Sequence, residues 1–196
     1  VVLPDPGYPM YTSATDLAGG AVVPLPLVAP DFQPNFDALA GLESASVLLL
    51  NYPNNPTGAL ARREKFEAAL AFSARTGAAF VHDFAYSSLC FDGRRPLSAL
   101  AVDTGLTRTV EVQTLSKTYS MAGWRFGYAA GNAALVDAMK RYQAHAFSTM
   151  FGATQDAAAA ALSGDQAAAA ELVHVYQRRR DLVVAGLRRL GREVAA

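Results

Sequence analysis

Residues 47–58 read Val47-Leu48-Leu49-Leu50-Asn51-Tyr52-Pro53-Asn54-Asn55-Pro56-Thr57-Gly58, an apolar run followed at once by a proline-rich polar segment. An apolar run of this kind predicts a strand that is buried on both faces, as in a parallel sheet covered by helices. Because the prolines cannot donate hydrogen bonds to a sheet, the strand must end near Asn51 and a loop must follow. The stretch therefore favours an α/β fold with a polar loop after a central strand.

The same alternation continues on both sides of this stretch. Short aliphatic runs alternate with longer helical patterns, which is typical of one α/β domain with a largely parallel sheet. The predicted strands are 1–3, 21–27, 46–51, 78–82, 109–114 and 125–130. The predicted helices are 10–18, 60–76, 132–146, 153–162 and 165–190, and the arginines of the last one predict a basic, solvated face.

The composition narrows the class of protein. The chain has 196 residues with 17 basic and 17 acidic side chains, so it offers no net charge for a nucleic acid or an anionic membrane surface. No apolar run approaches the roughly 20 residues of a membrane-spanning helix. The single cysteine, Cys90, rules out an internal disulfide. The sequence also shows no charged-then-apolar leader at its first residues, so a cytoplasmic protein is predicted. The missing initiator Met and the helical pattern still running at residue 196 indicate a fragment of a longer chain.

Chemically distinctive side chains follow four of the predicted strands. In a doubly wound sheet, ligands bind beyond the carboxyl ends of the strands. Each residue alone has an ordinary interpretation, as a turn, a helix N-cap, a packed ring or a solvated surface charge. The residues at or after the ends of these strands are Tyr8, Asn55, Asp83, Tyr86, Thr114, Ser116, Lys117 and Arg125.

One cofactor accounts for the whole set. Pyridoxal phosphate needs a lysine for its aldehyde, a carboxylate for its ring nitrogen, an anion site for its phosphate, donors for its phenolate oxygen and an aromatic ring against its face. Each requirement has a candidate among the residues at the strand ends. The sequence therefore predicts a pyridoxal-phosphate site there.

Four segments, 4–11, 51–58, 83–86 and 116–128, resemble in order and spacing the class I/II aminotransferases of the aspartate-aminotransferase superfamily, which are fold type I pyridoxal-phosphate enzymes. The resemblance extends from residue 1 to about residue 190. It implies that residues 1–196 form part of the large cofactor-binding domain, a mostly parallel sheet with helices on both faces, truncated at both ends. The helix 165–190 would lead towards a small C-terminal domain, and a preceding phosphate loop would also lie outside the chain.

The resemblance assigns a role to each residue that would face the cofactor ring. Lys117 would hold the cofactor as a Schiff base and then move the proton of the substrate Cα. Asp83 would keep the ring nitrogen protonated, and Asn55 and Tyr86 would donate to the phenolate oxygen. Tyr8 would stack on the ring face.

The phosphate and the neighbouring subunit involve a second set of residues. By the same resemblance, Arg125 would bind the phosphate with help from the hydroxyls of Ser116 and Thr114. A planar guanidinium suits a phosphate dianion better than an ammonium does. Ser148 matches a loop that reaches the site of the neighbouring subunit in the family, so a homodimer is expected.

The implied function is a ping-pong transfer of an amino group from an amino acid to a 2-oxo acid. Residues 115–132 look most like bacterial aminotransferases of the LL-diaminopimelate, alanine and methionine-salvage groups, without separating them. The 196 residues alone are expected to bind the cofactor poorly and to transaminate little, because the family's phosphate loop and substrate-carboxylate arginine would lie elsewhere.

The sequence leaves other functions open. A lyase, racemase, decarboxylase or synthase of the same fold would use the same lysine, aspartate and arginine, and a non-catalytic effector-binding domain is a further possibility. An unrelated nucleotide-binding protein or hydrolase is disfavoured, because the Gly-rich and nucleophile-elbow motifs are absent. The three histidines are scattered, so no metal site is predicted. His82 either holds the Asp83 carboxylate or is a satisfied core histidine.

Overall fold

The computed structural model describes residues 1–194, which form one mixed α/β unit. The strands are β1 Val2–Asp5, β2 Val23–Val28, β3 Gln33–Pro34, β4 Val47–Asn51, β5 Ala79–Asp83, β6 Thr109–Thr114 and β7 Gly127–Gly131. The helices are α1 Met10–Leu17, α2 Arg63–Thr76, α3 Leu115–Thr118, α4 Ala133–Ala146, α5 Gly152–Ser163 and α6 Ala167–Arg189. Short 3₁₀ turns span Phe36–Leu39, Ala99–Ala101 and Ala122–Trp124.

The strands form a seven-stranded sheet in the order β3-β2-β1-β4-β5-β6-β7. The five inner strands are parallel, while β3 and β7 run antiparallel to their neighbours at the two edges. The register pairs Asn51 of β4 with Asp83 of β5, and Asp83 with Val112 of β6. The loops that follow these three parallel strands therefore leave the sheet at the same edge.

A continuous apolar core holds α2 against the centre of the sheet. Phe66, Ala69 and Phe72 of α2 recur at helical spacing, are buried, and belong to the same core cluster as Leu48 and Phe80 of the strands below. The helix ends at Gly77, whose φ of 78° is left-handed and suits a residue without a Cβ. The chain then enters β5, so the packing of α2 sets where His82 and Asp83 lie.

The prediction of a mostly parallel sheet with helices is confirmed, and the bounds of the predicted elements shift by at most three residues, with β6 at its predicted bounds. Two short elements were not predicted: β3 has two residues and α3 has four, too few for a periodic pattern. Arg125 was predicted to begin the last strand. Instead it follows the turn Ala122–Trp124 with a left-handed φ of 53°, and β7 begins at Gly127.

The predicted solvated basic face of the last helix is wrong at Arg180. Its guanidinium makes two hydrogen bonds to the carboxylate of Asp92, at 2.6 and 2.8 Å, and lies 5.1 Å from the centre of the Phe91 ring. Only 19% of the Arg180 side chain is exposed. A flat guanidinium can stack on a ring and pair with a carboxylate at once, and here it ties α6 to the segment that follows Tyr86.

None of the helices within residues 1–194 combines the length and the apolar character that crossing a membrane requires.

Candidate functional site

The site predicted from the sequence lies at the edge of the sheet where β4, β5 and β6 end. Asn51 and Asp83 are direct neighbours in the parallel register, and the β6 strand beside them ends at Thr114, the residue before α3. Residues far apart in the sequence meet at this edge because parallel strands all end on the same side.

Asp83 is held by two donors. The hydroxyl of Tyr11 donates to Asp83 Oδ2 at 2.6 Å, and the amide of Ala85 donates to Asp83 Oδ1 at 3.0 Å. Burial and the neighbouring Asp83 carboxylate raise the pKa of Tyr11 well above its usual range, so this phenol keeps its proton and stays a donor. The ring of Tyr8 packs edge-on against Tyr11, with 5.5 Å between the ring centres. Tyr8 itself is 43% exposed.

The loop after β4 is shaped by asparagine side chains. Asn51 is buried; its Nδ2 donates to the Asp83 carbonyl at 2.9 Å, and its Oδ1 accepts from the Asn55 amide at 2.8 Å. The Oδ1 of Asn54 accepts from both the amide and the hydroxyl of Thr57, at 3.1 and 2.7 Å. These bonds replace the sheet pairing that the prolines cannot provide, and they fix Asn55 next to β5.

Three of the predicted residues lie side by side. Asn55 Nδ2 lies 3.5 Å from the hydroxyl of Tyr86, and Lys117 Nζ lies 5.8 Å from the centre of the Tyr86 ring. Lys117 is in α3 and is exposed. Within the described range 1–194, its amine takes part in no hydrogen bond or ion pair, so the amine is available to react.

The residues predicted to bind phosphate flank α3. The hydroxyl of Thr114 caps this helix by accepting from the Ser116 amide at 3.1 Å, and it also lies 2.8 Å from Ser116 Oγ and 3.1 Å from the Phe126 carbonyl. Arg125 is exposed and donates from one nitrogen to the Ala122 carbonyl at 3.0 Å, which leaves most of its donors available. Thr114 is thus engaged inside the chain, and its contact with a phosphate stays a prediction, as does that of Ser116.

His82 does not hold the Asp83 carboxylate. Its ring is fully buried and hydrogen-bonds to the Tyr52 carbonyl and to Glu111. Of the two interpretations of the sequence, the satisfied core histidine is confirmed. Ser148 lies in the turn after α4 with a left-handed φ of 59°, exposed and apart from these contacts.

A cavity of about 530 Å³ lies beside the loop after β4. Asn55 and Tyr86 line it, together with Arg94 and Arg180, whereas Asp83, Lys117 and Arg125 do not. The cavity therefore borders the predicted site without containing its charged groups. No group of three histidine, cysteine, aspartate or glutamate side chains suited to a metal ion occurs in the part of the chain that the structure describes.

Sequence reasoning missed two residues of this site. Tyr11 lies at the start of α1, in the segment 4–11 that also contains Tyr8. Asn51 is a polar residue at the end of an otherwise apolar strand, next to the residues Asn54 and Asn55. Both signals were present, but the partner in each case, Asp83, lies far away in the sequence.

Comparisons with known proteins agree on one family. The chain matches the model of the family "Aminotransferase class I and II" over residues 1–196. It is 45% identical to an L-glutamine--4-(methylsulfanyl)-2-oxobutanoate aminotransferase of Bacillus subtilis, covering all of this chain and 50% of that protein. It is 43% identical to an LL-diaminopimelate aminotransferase of Dehalococcoides mccartyi, covering all of this chain and 51% of that protein.

A solved structure shows the same fold. The aminotransferase from Staphylococcus aureus superposes with a TM-score of 0.89 at 40% identity, over 96% of this chain and 50% of that one. The expected fold, the large domain of fold type I, is thereby confirmed. The chain spans about half the length of the curated relatives it matches.

Members of the matched family use pyridoxal 5′-phosphate. The residues at the sheet edge fit this group: the amine of Lys117 has no partner within residues 1–194, and Arg125 has donors to spare for a phosphate. Within residues 1–194, the carboxylate of Asp83 accepts hydrogen bonds from two donors, which leaves further lone pairs for a ring N–H. Asn55 and Tyr86 place two donor groups next to each other.

Proposed function

The chain belongs to the class I and II aminotransferase family, and on this premise we propose that the whole protein is a pyridoxal-phosphate-dependent aminotransferase. It transfers an amino group from an amino acid to a 2-oxo acid. The observation that carries the proposal is the position of the available amine of Lys117, which lies 5.8 Å from the centre of the Tyr86 ring. The hydroxyl of Tyr86 in turn lies 3.5 Å from Asn55 Nδ2. A lysine, a phenol and an amide from three strand ends meet there, as the chemistry requires.

When bound, pyridoxal phosphate supplies a protonated ring that draws electrons away from the substrate Cα. Asp83 holds the proton of the ring nitrogen, and Tyr11 keeps the Asp83 carboxylate in place from its other side. Lys117 would provide the amine that anchors the cofactor, and its free amine would take the proton from the substrate Cα. A lysine can do this only while its amine is neutral and free of a carboxylate partner.

The remaining residues bind and orient. Asn55 and Tyr86 donate to the phenolate oxygen, and the hydrogen bonds of Asn51 keep Asn55 in place for this. Arg125 binds the phosphate with Ser116, while Thr114 caps the helix that carries Ser116 and Lys117. Tyr8 covers one face of the ring.

The substrates are an amino acid donor and a 2-oxo acid acceptor. The two curated relatives described above are named for methionine-related and diaminopimelate substrates, and both are about equally similar to this chain. We therefore include amino acids of these two kinds as the first donors to assay. The isolated residues 1–196 are expected to show little transamination, because half the length of the relatives lies outside them.

The assembly and the location are part of the same proposal. Large apolar side chains are exposed on α4 and the turn after it, namely Met139, Tyr142, Phe147 and Phe151. Exposed apolar patches mark interaction surfaces, which supports a homodimer; light scattering should give twice the mass of one subunit, and a monomer mass would contradict it. Cys90 is a free thiol, in keeping with the reducing cytoplasm.

The central experiment is an absorbance spectrum of the whole protein with pyridoxal phosphate, before and after borohydride. We expect a band near the visible edge that borohydride fixes covalently at Lys117 and that an amino acid donor converts to the pyridoxamine form. The Lys117→Ala variant should lose this band, and the exposed Lys140→Ala on α4 serves as the matched control. Conversion to the pyridoxamine form, reversed by a 2-oxo acid acceptor, separates a transaminase from a lyase or racemase, whereas an unchanged spectrum in Lys117→Ala would end the proposal.

A further inference from the structure

His82 and Asp83 are consecutive residues of β5, but they lie on opposite faces of the sheet. Successive side chains of a strand alternate between its two faces. Asp83 contacts Tyr11 at the candidate site, while the His82 ring lies in the core between Phe66 and Phe84, with ring centres 4.8 and 4.7 Å away. A fully buried, ionisable ring directly behind the site needs an explanation, because burying such a group is costly unless it is paired.

The two ring nitrogens of His82 face different partners. Its Nε2 lies 2.9 Å from the Tyr52 carbonyl, which can only accept, so Nε2 is the donor of this hydrogen bond. Its Nδ1 lies 3.0 Å from Oε2 of Glu111. The ring is therefore held on both sides.

The surroundings of Glu111 favour its ionised form. Oε2 accepts from the Ser98 hydroxyl at 2.7 Å and from the Ala99 amide at 3.1 Å, and Oε1 accepts from Gln113 Nε2 at 3.2 Å. The Ala99 amide is farther from His82 Nδ1, at 3.4 Å, so it donates to the nearer carboxylate. Burial alone would raise the pKa of Glu111, but the hydrogen bonds from His82 and Ser98 outweigh it and hold the pKa below its usual range.

The buried pair touches the chain segments that carry two of the residues at the site. On one side, His82 holds the carbonyl of Tyr52, the first residue of the loop that presents Asn55. The Tyr52 hydroxyl donates to the Phe32 carbonyl at 2.6 Å, so Tyr52 is anchored at both ends. The position of this loop therefore depends on the donor at His82 Nε2.

On the other side, Glu111 fixes the side chain of Gln113. The Oε1 of Gln113 accepts from the hydroxyls of Ser87 and Tyr128, at 3.3 and 2.9 Å. Ser87 is the neighbour of Tyr86 in the sequence. A continuous set of hydrogen bonds thus runs beneath the site from the loop of Asn55 to the segment of Tyr86.

We propose that His82 is a positioning residue: its Nε2 holds the Tyr52 carbonyl and so sets where the loop after β4 presents Asn55 beside Tyr86, while Glu111 anchors the other side of the ring. The inference rests on the proposed function in so far as these two side chains bind the cofactor. A buried polar group is costly unless it is hydrogen-bonded, so the two contacts of the ring keep it in one orientation. His82 itself touches no reacting atom.

Two substitutions separate the two hydrogen bonds of the ring. In His82→Gln the amide nitrogen is as many bonds from Cα as Nε2, so it can still donate to the Tyr52 carbonyl. In His82→Asn the amide nitrogen is as many bonds from Cα as Nδ1, so it can reach Glu111 but not Tyr52. Both variants remove the ring, and they differ in which of its two contacts survives.

The experiment titrates the whole apoprotein with pyridoxal phosphate and follows the absorbance of the holoenzyme against pH. We expect His82→Gln to bind within about threefold of the wild type, and His82→Asn to bind at least tenfold more weakly with a shifted pH midpoint. Equal losses in the two variants, or none in either, would overturn the proposal. If the wild type itself forms no borohydride-fixed band, the proposed function fails instead.

A second measurement observes the Nε2 donor directly in the wild type. In the whole apoprotein labelled with ¹⁵N-histidine, Nε2 of His82 should resonate as a protonated nitrogen, since it donates to the Tyr52 carbonyl. The signal is assigned by its absence in His82→Gln. A lone-pair nitrogen at Nε2 would show that His82 does not hold the Tyr52 carbonyl and would refute the proposal.

Discussion

The hydroxyl of Tyr11 donates to Asp83 Oδ2 over 2.6 Å, joining the first helix to the end of β5 across 72 residues of sequence. The high pKa of Tyr11, caused first by burial and then by the Asp83 charge, keeps the phenol a donor throughout the working pH range. Asp83 accepts from the Ala85 amide with its other oxygen. The orientation of the carboxylate is therefore set before any ligand arrives.

The first prediction concerns this bond. In the whole protein, Tyr11→Phe should weaken pyridoxal-phosphate binding about tenfold, because a hydrogen bond to a charged group contributes about 1.5–3 kcal/mol. The Kd is measured by spectral titration. Tyr176→Phe on α6 removes a phenol that makes no hydrogen bond to Asp83, and it should leave the Kd unchanged. An unaltered Kd in Tyr11→Phe would show that Asp83 does not need this donor.

A second prediction concerns Asn51 and the stability of the loop after β4. Asn51→Ala leaves the Asp83 carbonyl and the Asn55 amide without their partner, so the free energy of unfolding of the apoprotein should fall by about 2–4 kcal/mol. Urea denaturation measures the change. Asn35→Ala, which removes a side chain with no capping hydrogen bond, should stay within about 0.5 kcal/mol of wild type. Similar values for both variants would refute the role of Asn51.

A third prediction tests Arg125 as the phosphate ligand. Arg125→Lys keeps the charge but loses the planar, forked donor, so affinity for pyridoxal phosphate should fall about tenfold. Affinity for pyridoxal, which has no phosphate, should not change. Arg178→Lys on the exposed side of α6 is the control substitution. Equal losses for both ligands in Arg125→Lys would mean that Arg125 acts on something other than the phosphate.

A fourth prediction follows from Asp103, which lies before β6. Its Oδ1 accepts from the amide and hydroxyl of Thr107, and its Oδ2 accepts from the amides of Arg108 and Thr109. Burial acts to raise the pKa of Asp103, but these hydrogen bonds prevail and lower it from 3.8 to about 2. Since the folded pKa is depressed, the stabilisation is complete above about pH 4 and is lost as the pH falls towards about 2.

Asp103→Asn should therefore lower the free energy of unfolding by about 2 kcal/mol near neutral pH, since an amide nitrogen cannot accept from two amides. The difference from wild type should shrink below about pH 4, as chemical denaturation at several pH values would show. Asp156→Asn on α5 is the control, because the Asp156 carboxylate takes part in no hydrogen bond within residues 1–194. A difference that stays constant down to pH 2 would exclude the carboxylate as its source.

Much of the fold follows from local pattern. The apolar residues 47–50 predict a buried strand, and the proline-rich segment after them predicts a loop. Both predictions depend on neighbouring residues alone, namely on an apolar pattern and on the N–H donor that proline lacks. The helix α2 is predictable for the same reason, since its buried face recurs at helical spacing before Gly77. Elements of two to four residues, such as β3 and α3, carry no period and escape this reasoning.

The sequence by itself determined which chemical groups the strand ends deliver, Lys117, Asp83, Asn55 and Arg125 among them, because residue type and spacing are local properties. Only the tertiary structure decided what holds them. Tyr11 reaches Asp83, Asn51 bridges two strands, and His82 turns away to Tyr52 and Glu111. The physical reason is that a hydrogen bond depends on distance in space, and the register of the parallel sheet brings together side chains that are far apart in the sequence.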